Sequence, residues 1–344
     1  MKITTIGLDL AKSVFHVVCF DERHQEVGKR MLRRGQVRAY FAQREPCRVA
    51  MEACAGAHYW GRELAQLGHT VKLIPPQFVK PYVQGNKNDY NDARAIAEAA
   101  TRPGMRLVGI KTVEQQDIQA LHRLRAQRIK ERTALSNQLR ALVAEYGIVM
   151  NKGVATVRRS IPLLLEDAEN GLSEAFRALL ARGYDQLIEI DTHIDYYTRQ
   201  VEAHGRQSAP VRRLRTLPGY GPILASVFAS VVGDGRAFRR GRDVSASLGL
   251  VPRQHSSGGK EVLLGISKRG DKYLRSLLIH GARSVVQHAK HKEDALSRWV
   301  NRIRERRGSN KATVALANKL ARMGWALLRH ETTYCPEPGV AEAN

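Results

Sequence analysis

From its first residues the chain alternates between short apolar runs and polar turns. Residues 3–9 (Ile-Thr-Thr-Ile-Gly-Leu-Asp) and 14–20 (Val-Phe-His-Val-Val-Cys-Phe) are β-branched and aromatic, with a short polar turn between them, the mark of a hairpin. A third strand is predicted over 26–33, a short helix from Val37 to Gln43, and a buried strand from Cys47 to Glu52. A helix from His58 to Leu67 follows, then a strand over Thr70–Ile74 that Pro75-Pro76 stops. Further on the period lengthens. Ile118, Leu121, Leu124, Leu135, Leu139, Leu142 and Tyr146 fall mostly three or four apart, predicting one long helix from Val113 to Tyr146. A second runs from Leu172 to Ala203, where Leu180, Leu187, Ile194 and Val201 recur every seventh residue with Ile190 and Tyr197 at the d-like offsets. Such a seam serves either an intramolecular antiparallel hairpin or a dimer interface. Helices are also predicted over 223–232, 271–289 and 311–329, and the tail from Thr332 to Asn344 reads as disorder.

The order βββαβαβ, three meandering strands and then parallel additions, is that of the ribonuclease-H-like fold. The predicted fold class is α/β plus all-α. Residues 1–106 form the ribonuclease-H-like domain, 107–205 a pair of spacer or oligomerisation helices, 206–331 a mainly helical domain, and 332–344 the tail.

This topology changes the reading of the acids. Asp89 and Asp92 open a helical pattern three residues apart, on one face, where like charges repel. One acid there is ordinary capping chemistry, with Asn88 or Asp89 as the N-cap. Asp9 ends the first strand and Glu52 the fourth, which lie side by side in this fold, so four carboxylates meet at one sheet edge. Oxygen-only clusters suit Mg²⁺, a hard ion that keeps several waters. Two such ions position and polarise a phosphodiester and its attacking group.

Charge narrows the partner. The formal net charge is +23 in 344 residues, beyond what solubility needs, and a phosphate-rich partner is the usual reason. Residues 206–330 hold 26 Lys and Arg against 7 Asp and Glu, whereas residues 1–205 hold 30 against 23. The four cysteines (Cys19, Cys47, Cys54, Cys335) contain no Cys-x-x-Cys pair, which fits a reduced compartment and indicates neither a zinc site nor a disulfide framework. With no signal peptide and no bilayer-length apolar run, a cytoplasmic, nucleoid-associated protein is expected.

Two basic segments stand out. Arg212-Arg213-Leu214-Arg215-Thr216-Leu217-Pro218-Gly219-Tyr220-Gly221-Pro222 resembles a helix-hairpin-helix element, whose Gly219-x-Gly221 turn offers backbone N–H groups to a phosphate; the alternative is a plain tight turn. Further on, Arg253-Gln254-His255-Ser256-Ser257-Gly258-Gly259-Lys260, followed by Ser267-Lys268-Arg269-Gly270, reads as an exposed phosphate-binding loop. Cationic neighbours there both activate a serine and hold the phosphate it attacks. Arg123, Arg125, Arg128 and Lys130 on the first long helix are further backbone-contact candidates.

These motifs together resemble one family over residues 1–330: the DEDD transposases of bacterial insertion sequences, family one-ten with its eleven-eleven subgroup. The matching stretches are Gly7-Leu8-Asp9-Leu10-Ala11-Lys12, Met51-Glu52-Ala53-Cys54-Ala55-Gly56, Asn86-Lys87-Asn88-Asp89-Tyr90-Asn91-Asp92-Ala93, Leu217-Pro218-Gly219-Tyr220-Gly221, Leu248-Gly249-Leu250-Val251-Pro252-Arg253 and Ser267-Lys268-Arg269-Gly270. The resemblance implies a Mg²⁺-binding catalytic tetrad at Asp9, Glu52, Asp89 and Asp92 in a RuvC-like domain. It puts a nucleophilic serine at Ser257, immediately before Gly258, with Ser256 at a position the family pattern does not require to be serine. It also implies strand exchange between donor and target duplexes through a phosphoserine–DNA link, a dimer or tetramer in which another subunit contributes the serine, and a structured bridge RNA as guide. Arg213, Arg215, Gly219, Gly221, Arg253, Lys260, Lys268 and Arg269 are the expected nucleic-acid contacts. The alternative is a metal-dependent Holliday-junction-type endonuclease without serine chemistry. An actin-like ATPase, which also begins with a strand ending Gly-x-Asp, lacks here the further glycine-rich phosphate turns it needs.

Overall fold

The computed structural model describes residues 2–86 and 88–336, which fall into two compact units divided after Glu114. In the first, β1 (Thr5–Asp9), β2 (Val14–Phe20) and β3 (Glu26–Arg33) form an antiparallel meander, followed by α1 (Val37–Ala42), β4 (Arg48–Glu52), α2 (Ala57–Gln66), β5 (Thr70–Ile74), α3 (Pro76–Val79) and α4 (Asp89–Thr101). The sheet order is β3-β2-β1-β4-β5, with β4 and β5 parallel to the central β1. This is the predicted ribonuclease-H-like arrangement.

Side-chain alternation separates the two faces of the sheet. Ile6, Leu8, Phe15, Val17, Cys19, Val49 and Met51 point into a core closed by Trp60 and Leu64 of α2. The opposite face presents Ala50 and Ile74 to Ala95, Ile96, Ala99 and Ala100 of α4. There α4 crosses β1 at Gly7, where a Cβ would collide with the carbonyl oxygen of Ala93 and stand 3.0 Å from the Ala97 Cβ. Only glycine admits the helix so close to the sheet.

The second unit is helical: α5 (Val113–Ala144, whose first two residues precede the division), α6 (Val154–Glu166), α7 (Glu174–Gln207), α8 (Ala209–Arg215), α9 (Pro222–Val232) and α10 (Gly241–Ser247). A two-stranded hairpin, β6 (Pro252–Gln254) with β7 (Leu263–Ile266), precedes α11 (Lys272–His288), α12 (Ala295–Arg307) and α13 (Ser309–His330). The heptad seam on α7 is consumed within this chain. Arg125 donates to Thr198 at 2.7 Å, Arg132 pairs with Asp191 at 3.0 Å and Leu139 meets Gly183, contacts that step in opposite directions along α5 and α7. Leu180, Leu187, Ile194 and Val201 are all buried. Helix α6, absent from the sequence-based expectation, seats Val157 and Ile161 in the same core. Thus the antiparallel hairpin, the first of the two readings of the seam, is the one seen.

A larger core gathers α8 to α13. Tyr334 packs against it, and its N–H donates to the Thr216 Oγ1 at 2.9 Å, so this part of the predicted tail is held against the domain. Residues 337–344 of that tail lie outside the described residues. No helix among the described residues is long and apolar enough to cross a membrane.

Candidate active site

Asp9 is the last residue of β1, and parallel pairing of Leu8 with Met51 sets Glu52 at the same edge of the sheet. By alternation both share the face of Gly7 and Ala50, the face that α4 covers. The N-cap of α4 is Asn88, whose side chain accepts from the Tyr90 N–H at 2.9 Å. Asp89 and Asp92, both in the first turn, are thereby released from capping. Arg94 fastens the helix to β3 by a two-pronged contact with Glu26 at 2.6 and 3.2 Å, and its other branch bonds the Asn91 side chain at 2.8 Å.

Asp9 and Glu52 feel the neighbouring acids. Burial first, then Asp92 and Asp89, push the Asp9 carboxyl up to about 6, with Glu52 adding to the rise and His16 opposing it. Burial and Asp92 likewise raise Glu52. Carboxylates arranged at such mutual cost are poised for a cation, which relieves the repulsion and replaces lost water. One ligand atom from each of Asp9, His16 and Asp89 lies within 4.8 Å of the other two. The residues present therefore fit a divalent ion. A pocket of about 540 Å³ in this unit, lined by Thr5, Tyr82, Arg94 and Glu98 among others, contains none of the four acids. They stand instead at the sheet edge where β1 and β4 end and α4 begins.

His16 was missed by sequence reasoning. It is directly opposite Asp9 in the β1–β2 register, and its Nδ1 is 3.4 Å from Asp89 Oδ2. Part of the signal was available: alternation along strands 3–9 and 14–20 turns residues 9 and 16 to one face, but pairing those strands end to end puts residue 14 across from residue 9, and the observed register is shifted by two.

Ser257 sits in the second unit at the tip of the β6–β7 hairpin, where Lys260 N–H donates to Ser257 O at 3.1 Å around Gly258 (φ +56°) and Gly259 (φ +77°). Positive φ at both central residues is the type I′ signature that suits a two-residue hairpin turn. The segment expected as an exposed loop is exposed and turns as a hairpin. The Ser256 Oγ accepts from Val262 N–H at 3.3 Å and from Gln254 Nε2 at 3.1 Å, whereas no hydrogen bond engages the Ser257 hydroxyl among the described residues. Arg253, Lys260, Lys268 and Arg269 are all exposed. The base of the hairpin is clamped by buried Arg275, which donates to the carbonyls of Leu248 at 2.9 Å and Arg269 at 3.0 Å.

The helix–turn–helix at Gly219-Tyr220-Gly221 joins α8 to α9 as expected, with a structural purpose alongside. Gly219 (φ +86°) faces the Gly281 carbonyl so closely that a Cβ would stand 3.0 Å from it, and buried Tyr220 donates to Leu320 O at 3.1 Å. Gly221 is exposed and opens onto the N-terminus of α9. Arg213 pairs with Glu331 at 2.9 Å, while Arg215 is exposed. On α5, Arg125 and Arg128 are committed to Thr198 and Glu131, leaving Arg123 and Lys130 outward. Sequence reasoning also missed a cleft of about 1360 Å³ beside the hairpin strands, lined by Arg240, Arg242, Lys311, Lys319 and Arg322 with Trp299 and Trp325. These side chains come from three separate segments, the start of α10, α12 and α13, so no local run announced them.

Comparison with known proteins bears on both units. Residues 6–148 match the DEDD transposase family model of the IS110 type, and residues 211–297 match the model described as the transposase IS116/IS110/IS902 family. A "Probable family 20 transposase" of Pseudomonas aeruginosa is 50% identical over 98% of this chain and 100% of its own length. The "Transposase for insertion sequence element IS1111A" of Coxiella burnetii is 47% identical over 96% of this chain and 91% of its own. That for IS1328 of Yersinia enterocolitica is 42% identical over 97% and 99%. With a DEDD domain, which implies a divalent metal, matched over its first unit and on into α5, the chain belongs to the IS110/IS1111 family of insertion-sequence transposases.

Proposed function

We propose that this transposase exchanges DNA strands with Ser257 as its nucleophile and with Asp9, Glu52, Asp89 and Asp92 holding Mg²⁺, and that a structured bridge RNA selects donor and target. The observation that carries the reading is the convergence of carboxylates from β1, β4 and α4 at one sheet edge, where burial and the neighbouring acids raise Asp9 and Glu52. Hard oxygen ligands favour Mg²⁺, which when bound supplies charge stabilisation to a phosphodiester under attack. Ser257 Oγ attacks phosphorus and one bridging P–O bond breaks. The hydroxyl proton ends on the departing sugar oxygen, and the new Ser–O–P bond conserves the phosphodiester for transfer to the other strand. The free hydroxyl of Ser257, against the engaged one of Ser256, supports that assignment.

Exposed Arg215, Arg253, Lys260, Lys268 and Arg269, the Gly219–Gly221 turn and Arg213 supply phosphate contacts, and the Arg/Lys/Trp cleft adds stacking surfaces. Cationic contacts of this kind carry little sequence information, which suits a protein whose specificity is delegated to guide pairing. Assembly as a dimer or tetramer belongs to the same reading.

Labelled donor and target DNA, incubated with the protein and resolved under denaturing conditions, tests it. A covalent protein–DNA adduct lost in Ser257→Ala and kept in Ser256→Ala is expected. Cleaved ends without adduct would instead indicate a junction-type metal nuclease, and an adduct that vanishes only in Ser256→Ala moves the nucleophile. For guidance, RNA that co-purifies is sequenced; efficient recombination by RNA-free protein would sink that part.

A further inference from the structure

We propose that His16 is a fifth ligand of the metal centre, donating Nδ1 beside Asp9 and Asp89, so that the site is mixed nitrogen–oxygen and favours Mn²⁺ over Mg²⁺ more than four carboxylates alone would. The inference rests on reading the acids as a metal site.

Three observations carry it. First, His16 is brought to the acids by the register of the sheet: it pairs with Asp9 across β1 and β2 and projects from the α4-covered face. Second, its Nδ1 is buried and makes no hydrogen bond, although it lies 3.4 Å from Asp89 Oδ2. An orphaned buried nitrogen carries a desolvation cost of roughly 1–3 kcal/mol in a folded protein, and a ligand that fills it removes that cost. Third, the spacing suits an ion. Ligand atoms about 2.1 Å from a common octahedral centre stand roughly 3.0 Å apart when adjacent and 4.2 Å when opposite, and the Asp9, His16 and Asp89 atoms all fall within 4.8 Å of one another.

The ring is also held for the task. Tyr90, next to Asp89 in sequence, meets His16 edge to face at 4.8 Å and 81°. Lys29 Nζ stands 5.4 Å from the centre of the Tyr90 ring. A residue that serves only as an ion-pair partner for Asp89 needs no such aim toward Asp9. Imidazole nitrogen is a poor ligand for Mg²⁺ and a good one for first-row transition ions, which gives the preference its direction.

The test uses the full-length protein with Mn²⁺ as the probe, bound species being counted by electron paramagnetic resonance at fixed pH and examined by pulsed methods for coupling to ¹⁴N. Wild-type protein is expected to show imidazole nitrogen coupling. His16→Gln is expected to keep Mn²⁺ binding, lose the coupling and bind Mn²⁺ about tenfold more weakly, with Mg²⁺ affinity by competition changing less than about twofold. Should His16→Gln fail to fold, the wild-type spectrum decides alone. Mn²⁺ bound without nitrogen coupling overturns the His16 inference and leaves the tetrad standing, as does coupling that persists in His16→Gln. Absence of Mn²⁺ binding, or binding unchanged in Asp9→Asn with Asp92→Asn, overturns the metal reading itself.

Discussion

The two units carry their candidate chemistry on supports of opposite character. In the first, every acid sits on a strand end or a helix start that the core fixes: Asp9 and Glu52 by parallel pairing, Asp89 and Asp92 by a helix pressed onto Gly7 and tied down by Arg94. In the second, Ser257 rides the tip of an exposed two-stranded hairpin whose base is held by Arg275. An isolated hairpin is marginal in water, and segments with few buried contacts open at little cost. A metal site needs several ligands within a fraction of an ångström. A nucleophile that must reach a DNA strand needs presentation and freedom of movement. Under the proposed function, the contrast is between acids that are pre-organised and a serine that is delivered.

The largest expected effect breaks that contrast at the delivered half. Ser257→Ala should lower strand exchange by at least about 10³-fold and leave DNA affinity intact, as expected for loss of a nucleophile; recombination assays and electrophoretic mobility shifts measure the two. Ser256→Ala, which removes only the acceptor for Val262 and Gln254, should retain most activity. Next comes the pre-organised half. Gly7→Ala inserts a Cβ into the Ala93 carbonyl and must push α4 off the sheet, costing roughly 3 kcal/mol, the upper end for overpacking because the obstacle is backbone. Calorimetric Mn²⁺ titration should then show binding lost at protein concentrations where the variant remains folded. A Gly7→Ala protein that binds metal normally would show that the acids do not depend on this close approach.

Much of the pre-organised half was legible in the sequence. Alternation gave the strands and their order, from which Asp9 and Glu52 fall at one edge, and Asn88 was already a cap candidate. The face of His16 was legible from alternation, but its place opposite Asp9 follows from a register shifted by two from the predicted strands, and its chemistry depends on a helix that arrives some seventy residues later. The delivered half was less so. The β6–β7 hairpin has a central Gly-Gly turn flanked by polar residues that read as loop, and only the structure shows which serine hydroxyl is occupied. Helix α6 contains Pro162, adverse to helix, and forms because Val157 and Ile161 bury on α7. The basic cleft is invisible locally, since its cations meet only when α10 to α13 pack.

Acid pH separates the units again, with a smaller effect. His122 on α5 is buried against Ser226 at 3.1 Å and Tyr273 at 3.4 Å, and burial, with Arg125 and His204, holds it down to about 4. Its unfolded form takes up a proton near pH 6.5, so the stability it secures is present above pH 6.5 and lost as pH falls toward 4, amounting to about 2 kcal/mol. Denaturation followed through Trp299 and Trp325 should show the second unit weakening over that window, and His122→Gln should flatten the response. A slope unchanged in His122→Gln would assign the acid sensitivity elsewhere.

The first unit should respond with the opposite sign. Asp9 is raised from 3.8 to about 6, so between those values the folded protein binds the proton that the unfolded chain has released. The stability this contributes is complete below pH 3.8 and is lost as pH rises through 6, and Glu52, raised by burial and Asp92, acts the same way. At pH 7 to 8 the metal-free site therefore carries a penalty, about 1 kcal/mol once partial solvent screening is allowed for. Asp9→Asn should remove it, making the first unit more stable than wild type at pH 7.5 without metal and no more stable at pH 4. Trp60, in the core beneath the sheet, reports this unit when Trp299 and Trp325 are replaced by Phe. Divalent metal should reverse the ranking, because an ion that binds the native site stabilises wild type in proportion to its saturation and has lost a ligand in Asp9→Asn. Melting curves at pH 7.5 with and without Mg²⁺ thus have a required crossover. Wild type more stable than Asp9→Asn even in chelator would mean that the four carboxylates do not strain one another, and the first unit would lose its claim to be built around a cation.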